Sequence, residues 1–192
     1  MIIVGLTGPT GAGKSSASAV CEKLGVKHID CDIIARKATE KGQEGLLAVV
    51  KAFGEEILNP DGTLNRKALA EKAFKDNDST ELLNQTLLPI IKKMVMSEIK
   101  GDKVLLDAPT LFESGIDEIC NKTVAVLSDS QLRLKRIIAR DGITSEQALL
   151  RINAGKNDDF YKEKCDFVIY NNTDENTFDS EFLSLLKEIF EL

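Results

Sequence analysis

The stretch Gly5–Ser16 reads GLTGPTGAGKSS and lies between a short apolar run, Ile2–Val4, and a segment with helical character. It contains Gly8, four further residues and then Gly13-Lys14-Ser15, which is the spacing of a phosphate-binding P-loop. Glycines let the backbone bend around phosphates with several N–H groups pointing inward, and the helix that follows adds the positive end of its dipole. The pattern therefore predicts a bound nucleoside triphosphate, but it does not separate a kinase from a GTPase or an ATPase.

Individual residues of this loop have distinct predicted roles. We expect Lys14 to bridge the β- and γ-phosphates and Ser15 to offer its hydroxyl to Mg²⁺. The alternative, a glycine-rich turn without a ligand, is disfavoured because a strand precedes the loop and a helix follows it. The residues that we predict to contact the nucleotide are Gly8, Gly11, Ala12, Gly13, Lys14, Ser15 and Ser16.

Five short apolar runs predict the strands of a parallel sheet, because strands that are covered on both faces lack polar alternation. These runs are Ile2–Leu6, Val26–Ile29, Lys103–Asp107, Thr123–Leu127 and Asp166–Tyr170. Helical patterns separate them, and the clearest are Lys14–Leu24, Ser130–Arg140 and Asn176–Phe190. This alternation indicates an α/β protein, a doubly wound three-layer P-loop sandwich with a five-stranded parallel sheet.

Two regions interrupt the alternation of strands and helices. Residues 32–100 show amphipathic helices and no convincing strand, which predicts a helical lobe inserted between the second and third strands. Residues 130–164 are mostly helical and rich in charge. We therefore predict a single domain over residues 1–192, with its core in residues 1–31, 101–129 and 165–192.

Acidic residues end the second and third predicted strands. Asp30 and Asp32, in the segment HIDCDIIAR, lie where the γ-phosphate is expected, so each could accept a proton from an attacking hydroxyl or could instead cap the next helix. Asp107 ends a buried strand, where an unpaired acid is costly, which favours Mg²⁺ binding or orientation of Ser15. Further along the chain, Leu111, Phe112 and Glu113 are candidates to line an acceptor pocket. Phe112 is equally suited to a place in the hydrophobic core.

The segment QLRLKRIIARDGIT places Arg133, Arg136 and Arg140 at i, i+3 and i+7, on one face of a helix. Like charges at this spacing destabilise a helix by a few tenths of a kcal/mol per pair, on the order of 0.3 kcal/mol, and an anionic ligand would relieve that repulsion. The alternative is a solvated basic face. A P-loop in the same chain favours arginines that stabilise a transferring phosphoryl group.

Composition excludes several classes of protein. The formal net charge of −6 argues against a general nucleic-acid binder. The four cysteines form no Cys-x-x-Cys pair, so we expect free thiols in a reducing compartment and no zinc site. The chain shows no secretory signal and no apolar run as long as a membrane span. We expect a soluble cytoplasmic protein with neither nucleic-acid nor membrane partners.

These segments together resemble the dephospho-CoA kinase family over most of the chain and in matching order. The specific ones are DGTLNRKAL, residues 61–69, and LDAPTLFE, residues 106–113, which general P-loop kinases do not share. The resemblance implies that ATP phosphorylates the 3′-hydroxyl of the dephospho-CoA ribose to give coenzyme A. It also implies that the helical lobe binds the CoA moiety and that residues 130–164 form a mobile lid.

The same resemblance assigns roles to particular residues. Asp32 looks like the catalytic base, and the lid arginines of the family fall on Arg136 and Arg140; with Lys14 they form the predicted catalytic set. We expect a monomer or a weak homo-oligomer. The residues expected to contact dephospho-CoA are Asp32, Arg36, Asp107, Leu111, Phe112 and Glu113.

Three positions depart from the family pattern. Leu88 stands before Pro89 where the family usually has His, Gly155 stands where Gln is usual, and Pro9-Thr10 replaces a common Gly-Ile pair. The first two bear on substrate affinity or selectivity. Two alternatives follow: a P-loop kinase of another nucleoside, nucleotide or small metabolite, or a non-catalytic nucleotide-binding regulator. A GTPase is disfavoured because no Asn-Lys-x-Asp segment is present.

Overall fold

The computed structural model describes residues 1–192, except for the side chain of Ser18. Within these residues the strands are β1 (Ile2–Thr7), β2 (Lys27–Asp30), β3 (Lys103–Asp107), β4 (Lys122–Leu127) and β5 (Phe167–Tyr170). The α-helices are α1 (Ala17–Leu24), α2 (Cys31–Ala38), α3 (Glu44–Phe53), α4 (Arg66–Ala73), α5 (Asn77–Glu98), α6 (Ser130–Asp141), α7 (Ser145–Ala154), α8 (Asp158–Lys164) and α9 (Glu175–Phe190). Short 3₁₀ turns lie at Lys14–Ser16, Glu55–Ile57 and Asp117–Ile119.

β1 lies at the centre of a sheet with the strand order β2-β3-β1-β4-β5. It pairs in parallel with β3 and β4, and β4 pairs in parallel with β5. The register sets Leu6 of β1 opposite Asp107 of β3, so this acid lies beside the strand end from which the P-loop leaves. The predicted α/β class and five-stranded parallel sheet are confirmed, and each predicted strand boundary lies within one residue of the observed one.

Helices cover both faces of the sheet. Val126 of β4 belongs to the core cluster that contains Phe178 of α9, whereas its neighbour Leu127 belongs to the cluster that contains Tyr161 of α8. Successive residues of a strand point to opposite faces, so these two clusters lie on opposite sides of β4. This double burial is the physical reason for the continuous apolar runs in the sequence.

The predicted helix ends agree closely with the structure. The helix after the P-loop begins as a 3₁₀ turn, continues as α1 and ends at Gly25, whose φ of 64° is the left-handed conformation of a C-cap. The helices α6 and α9 each extend one residue beyond the prediction, to Asp141 and back to Glu175.

Contacts divide the chain into two units. The first, which we call the sheet unit, comprises Met1–Ile29, Lys100–Phe112 and Ile116–Leu192. The second, the helical unit, comprises Asp30–Ile99 and Glu113–Gly115. Each unit has a hydrophobic core of its own, and that of the helical unit is built around Val49 and Ile57, both with no exposed side-chain surface.

The helical unit holds α2 to α5 and, within its described residues, no strand beyond an isolated antiparallel bridge between Leu58 and Leu64. Residues 59–62 form a turn inside that bridge, where the Gly62 amide donates to the Asn59 carbonyl at 2.9 Å. α5 continues through Pro89. The functional assignment of lobe, lid and core stays a prediction.

Three of the four cysteines have thiols with raised pKa values. Among the described residues no two cysteines form a disulfide. Burial raises the pKa of Cys21 and Cys120 to about 12 and that of Cys165 to about 11, so these thiols stay protonated at neutral pH and are poor nucleophiles. Among the same residues, no helix has both the length and the apolar character needed to cross a bilayer.

We predict that Gly8→Ala destabilises the protein much more than Gly25→Ala. A Cβ on Gly8 would lie 2.2 Å from the carbonyl oxygen of Val126, a backbone atom of β4, whereas a Cβ on Gly25 meets no atom within 4 Å. Both positions have positive φ, and Gly25 lies in the left-handed region, where a side chain costs about 1–2 kcal/mol; Gly8→Ala adds to its own backbone strain the collision with β4. Urea unfolding of both variants measures the difference, and equal losses would contradict this packing.

Candidate active site

The P-loop leaves the carboxyl end of the central strand and closes on itself. Gly8, Gly11 and Gly13 have φ values of 143°, 78° and 91°, which favour glycine. The Ala12 amide donates to the Pro9 carbonyl at 3.1 Å. The Lys14 ammonium donates to the Gly8 carbonyl at 2.9 Å, so its side chain folds back over the P-loop, where the phosphates are predicted to bind.

Two of these glycines are required by close neighbours as well as by φ. A Cβ on Gly11 would lie 2.9 Å from the backbone carbonyl oxygen of Arg133 in α6. A Cβ on Gly13 would lie 2.3 Å from Nδ2 of Asn171, the residue that follows β5. The loop is therefore packed between α6 and the carboxyl end of β5 so closely that a Cβ at either position would collide with a neighbouring atom.

Asn171 connects the P-loop to its surroundings, and sequence reasoning assigned it no role. Its side chain is buried and donates from Nδ2 to the Gly13 carbonyl at 3.3 Å. Its backbone carbonyl accepts from the Ser128 hydroxyl at 2.8 Å and from Arg136 at 3.1 Å. The available signal was the position of a polar side chain directly after a buried strand, at the edge where ligands bind in parallel sheets.

Arg136 of α6 lies on the P-loop itself. Its guanidinium donates to the Ala12 carbonyl at 3.3 Å, to the Ser128 hydroxyl at 3.0 Å and to Oδ1 of Asn171 at 3.0 Å. Arg133, one turn earlier, is buried and donates to the Thr10 carbonyl at 3.0 Å. Burial lowers the pKa of Arg133, while Asp158 at 3.8 Å opposes that shift. Two cations of the predicted basic face therefore hold the loop backbone.

Arg140, the third arginine of that face, is exposed and paired within its own region. It donates to the neighbouring Asp141 through Nε at 2.7 Å and through a terminal nitrogen at 3.0 Å, and Arg151 contacts the same carboxylate. The hydrogen bond from Arg140 holds the pKa of Asp141 below its usual value. Asp141 is thus an anion that offsets the charges of Arg140 and Arg151, and the sequence interpretation had not considered it.

The structure separates the two acids of the second-strand motif. Asp30 is the N-cap of α2, because its side chain accepts a hydrogen bond from the Ile33 amide at 3.0 Å. Asp32 lies in the first turn of α2 and is exposed. Arg36 follows four residues later on the same helix face. The capping role left open by the sequence therefore belongs to Asp30, whereas the role of Asp32 as the base stays a prediction.

Asp107 and Ser16 contribute buried polar atoms to the same end of the sheet unit. Within the described residues, Oδ1 of Asp107, Oγ of Ser16 and Nε2 of His28 are buried without a hydrogen-bond partner. Nε2 of His28 lies 3.8 Å from Oδ2 of Asp107, beyond hydrogen-bond distance. Buried polar atoms left unpaired are rare and indicate a place for an ion, a water molecule or a ligand.

Three predicted acceptor residues differ in their surroundings. Leu111 is fully buried, and its methyl groups lie against Gly5, so its predicted contact with substrate is corrected to a packing role in the core. Phe112 packs edge-on against Phe160 of α8, with ring centroids 5.7 Å apart. Glu113 is exposed and belongs to the helical unit.

The predicted residues therefore fall into two groups. The nucleotide-binding stretch, Asp107 and Arg136 gather at the carboxyl ends of β1, β3 and β4 in the sheet unit. Asp32 and Arg36 lie together on α2 in the helical unit. In chemical terms the first group offers backbone amides, cations, a hydroxyl and a carboxylate to a phosphate chain and its cation, and the second offers a carboxylate beside a cation.

We predict that Asn171→Ala weakens ATP binding about tenfold, because its charge-assisted and neutral hydrogen bonds hold the P-loop; such a loss corresponds to about 1.4 kcal/mol. The matched control is Asn172→Ala, because the Asn172 side chain hydrogen-bonds with the backbone and side chain of Asp129, the N-cap of α6. Isothermal titration calorimetry with ATP measures both. Equal ATP affinities of the two variants would contradict the role of Asn171 in holding the P-loop.

Comparisons with known proteins add an independent finding. The family model described as dephospho-CoA kinase matches residues 2–177. The chain is 39% identical over 190 residues to the dephospho-CoA kinase of Listeria monocytogenes serotype 4b, which covers 96% of this chain and 95% of that protein. It is 37% identical over 195 residues to the dephospho-CoA kinase of Arabidopsis thaliana, covering 98% and 84%. The crystal structure of TT1252 from Thermus thermophilus superimposes with a TM-score of 0.81, at 27% identity and 97% coverage of both chains.

Proposed function

The chain belongs to the dephospho-CoA kinase family, and from that premise we propose how its own residues transfer the γ-phosphoryl group of ATP to the 3′-hydroxyl of the dephospho-CoA ribose. The observation that carries this function is the family match over residues 2–177. It confirms the resemblance drawn from the sequence segments, and with it the assignment as a phosphotransferase with an alcohol acceptor. Neither a kinase of another acceptor nor a non-catalytic regulator is favoured.

ATP, the donor that a kinase of this family uses, is assigned to the P-loop. We assign its phosphates to Gly8, Gly11, Ala12, Gly13, Lys14, Ser15 and Ser16. Because the Ala12 side chain is buried, this residue takes part through its backbone. The Lys14 ammonium exchanges its bond with the Gly8 carbonyl for oxygens of the β- and γ-phosphates. Arg136, already on the loop, adds a second cation beside the phosphate chain.

The cation that accompanies ATP is assigned to Ser15 and Asp107. The buried, unpaired Oδ1 of Asp107 fits a ligand to Mg²⁺ or to its water shell. Among the described residues no cluster of three or more His, Cys, Asp or Glu side chains could hold a metal ion. The phosphates of ATP and water must therefore complete the coordination, as is usual for Mg²⁺ in kinases. When bound, the ion neutralises charge on the β- and γ-phosphates.

The acceptor is assigned to Asp32. Its carboxylate accepts the proton of the 3′-hydroxyl while that oxygen forms the new bond to the γ-phosphorus, and the bond to the β,γ-bridging oxygen breaks to release ADP. Asp30 is engaged as the helix cap, which leaves Asp32 as the base of this motif. The other residues assigned to dephospho-CoA are Arg36, Asp107, Phe112 and Glu113.

The region 130–164 is assigned as the lid, residues 32–100 as the substrate lobe, and the remainder as the nucleotide-binding core. In this assignment Arg140 leaves Asp141 to reach the phosphates, so that its charge is used only when the nucleotide is bound. Exclusion of water by the lid protects ATP from hydrolysis. We place the enzyme in the cytoplasm, as a monomer or a weak homo-oligomer, without nucleic-acid or membrane partners.

The two departures that bear on the substrate, Leu88 and Gly155, lie in different surroundings. Leu88 lies in the interior of α5, directly before Pro89. Gly155 follows α7 as its C-cap with φ −84°, and a Cβ there would lie 3.5 Å from the nearest atom, the Ile152 carbonyl oxygen. Since that is an ordinary contact, the backbone at residue 155 accepts a side chain, and the glycine is not required by its conformation.

A coupled assay with ATP, Mg²⁺ and dephospho-CoA, with mass detection of the product, tests the proposed function. We expect coenzyme A and ADP in equal amounts. Preferential phosphorylation of a nucleoside monophosphate would favour a kinase of another class. ATP binding without any phosphorylated acceptor would instead favour a non-catalytic regulator.

We predict that Asp32→Asn lowers kcat by about 10²- to 10⁴-fold, the usual contribution of a general base, while ATP affinity is retained. The matched control is Asp30→Asn two residues earlier. Asparagine caps helices as well as aspartate does, so this variant keeps both stability and kcat. Steady-state kinetics and thermal unfolding of the pair measure the two roles. An unchanged kcat in Asp32→Asn would show that another group takes the proton.

A further inference from the structure

Arg133 of α6 is a buried cation that reaches both the P-loop and α8. Its side chain is only 6% exposed, and its Nε donates to the Thr10 carbonyl at 3.0 Å. One terminal nitrogen lies 3.8 Å from a carboxylate oxygen of Asp158, the first residue of α8. The other terminal nitrogen is buried without a hydrogen-bond partner within the described residues. A single guanidinium therefore connects the nucleotide-binding loop to a helix far along the chain.

The charge of Arg133 depends on Asp158. A buried guanidinium is costly unless an anion compensates it. Burial lowers the pKa of Arg133, and the charge of Asp158 opposes that shift. Since 3.8 Å is beyond hydrogen-bond distance, Asp158 acts through its charge. When one partner of a buried ion pair is removed, the other charge is left uncompensated and the site is destabilised. Asp158 therefore stabilises Arg133 in its place beside the loop.

The first turn of α8 presents Asp158 to Arg133. The Asn157 side chain caps this turn by accepting a hydrogen bond from one of its backbone amides at 3.0 Å. Three residues after Asp158, Tyr161 is buried in a cluster that contains Leu127 of β4. The carboxylate therefore reaches Arg133 while the first turn of α8 is folded and packed on β4. We call this arrangement the docked state of α8.

Arg133 also fixes the direction of one peptide group of the P-loop. In a trans peptide the carbonyl and the N–H of the same unit point in opposite directions, and among the described residues no peptide bond is cis. Because the Thr10 carbonyl points to the Arg133 guanidinium, the Gly11 N–H points away from it. Gly11 is one of the residues assigned to the phosphates. Arg133 thus orients an amide that the proposed donor site uses.

We propose that Asp158 and Arg133 couple the binding of ATP to the docked state of α8. In that state Asp158 stabilises Arg133, and Arg133 holds the Gly11 amide in the direction of a phosphate oxygen. Both are positioning residues, because neither is assigned a contact with ATP or with the acceptor. This inference rests on the proposed function, in which the P-loop binds ATP. Coupling is reciprocal, so bound ATP stabilises the docked state by the same factor.

Isothermal titration calorimetry with ATP compares Asp158→Asn with its matched control, Asp159→Asn. Each substitution removes one negative charge from the first turn of α8 and keeps the size of the side chain. We expect Asp158→Asn to raise the Kd of ATP by about fivefold to fiftyfold, a usual range for coupled sites. Asp159 is 86% exposed and lies 3.4 Å from Lys162. Because such surface pairs contribute little, we expect its loss to change the Kd by less than about twofold.

Three further measurements separate this coupling from a general loss of structure. Arg133→Gln raises the Kd of ATP by itself, and Asp158→Asn added to it causes no further rise, because the cation through which it acts is gone. Hydrogen exchange of the α8 amides slows when ATP binds to the wild-type chain or to Asp159→Asn, and slows much less in Asp158→Asn. In steady-state kinetics Asp158→Asn raises KM for ATP and leaves KM for dephospho-CoA unchanged.

Equal Kd values for ATP in Asp158→Asn and Asp159→Asn would overturn the inference. An undiminished effect of Asp158→Asn in the Arg133→Gln background would overturn it too, since Asp158 would then act without Arg133. The same holds for α8 amides whose exchange ATP does not slow, and for a parallel rise of both KM values. If Arg133→Gln does not fold, the calorimetric comparison and the exchange measurement decide. Absence of ATP binding in the wild-type chain would refute the donor site itself, and the inference with it.

Discussion

The P-loop backbone lies so close to its neighbours that side chains are excluded at three positions. Gly8 meets a carbonyl of β4, Gly11 meets a carbonyl of α6, and Gly13 meets the amide of Asn171. The two backbone carbonyls cannot retreat without disturbing β4 or α6, and the Asn171 side chain could retreat only by giving up its hydrogen bonds to the Gly13 carbonyl and to Arg136. The donor site depends on this constraint, since a loop pressed onto a rigid frame keeps its amides oriented before the nucleotide arrives.

The same frame explains how cations are used in the sheet unit. Arg133 and Arg136 donate to loop carbonyls, which point away from the phosphate side of a P-loop, and they leave the amides for phosphate. Arg140 instead pairs with Asp141 at the far end of α6. One helix face therefore supplies two cations that hold the loop backbone and a third that pairs with a carboxylate. Spacing along the helix could not distinguish these roles, because all three arginines lie on the same helix face.

The polar residues around α2 are positioned partly by local helix geometry and partly by a distant segment of the chain. The start of α2 brings a helix cap, Asp30, an exposed carboxylate, Asp32, and a cation, Arg36, within seven residues. Local geometry separates the two acids, because the Asp30 side chain accepts from the Ile33 amide, whereas Asp32, in the first turn of α2, is exposed. Arg66, the first residue of α4, donates to the Thr39 hydroxyl at the end of α2. Without the tertiary structure its neighbours could not be known.

By itself the sequence determined the α/β class, the strands to within one residue, the P-loop and the family, since these depend on local spacing and on burial that leaves a continuous apolar pattern. Only the tertiary structure decided that Asn171 clamps Gly13, that Leu111 packs in the core and that Asp141 neutralises Arg140 and Arg151. Most of these contacts join residues far apart in the chain, or depend on which direction a side chain takes. Neither property is encoded in a pattern of neighbouring residues, because packing sets both.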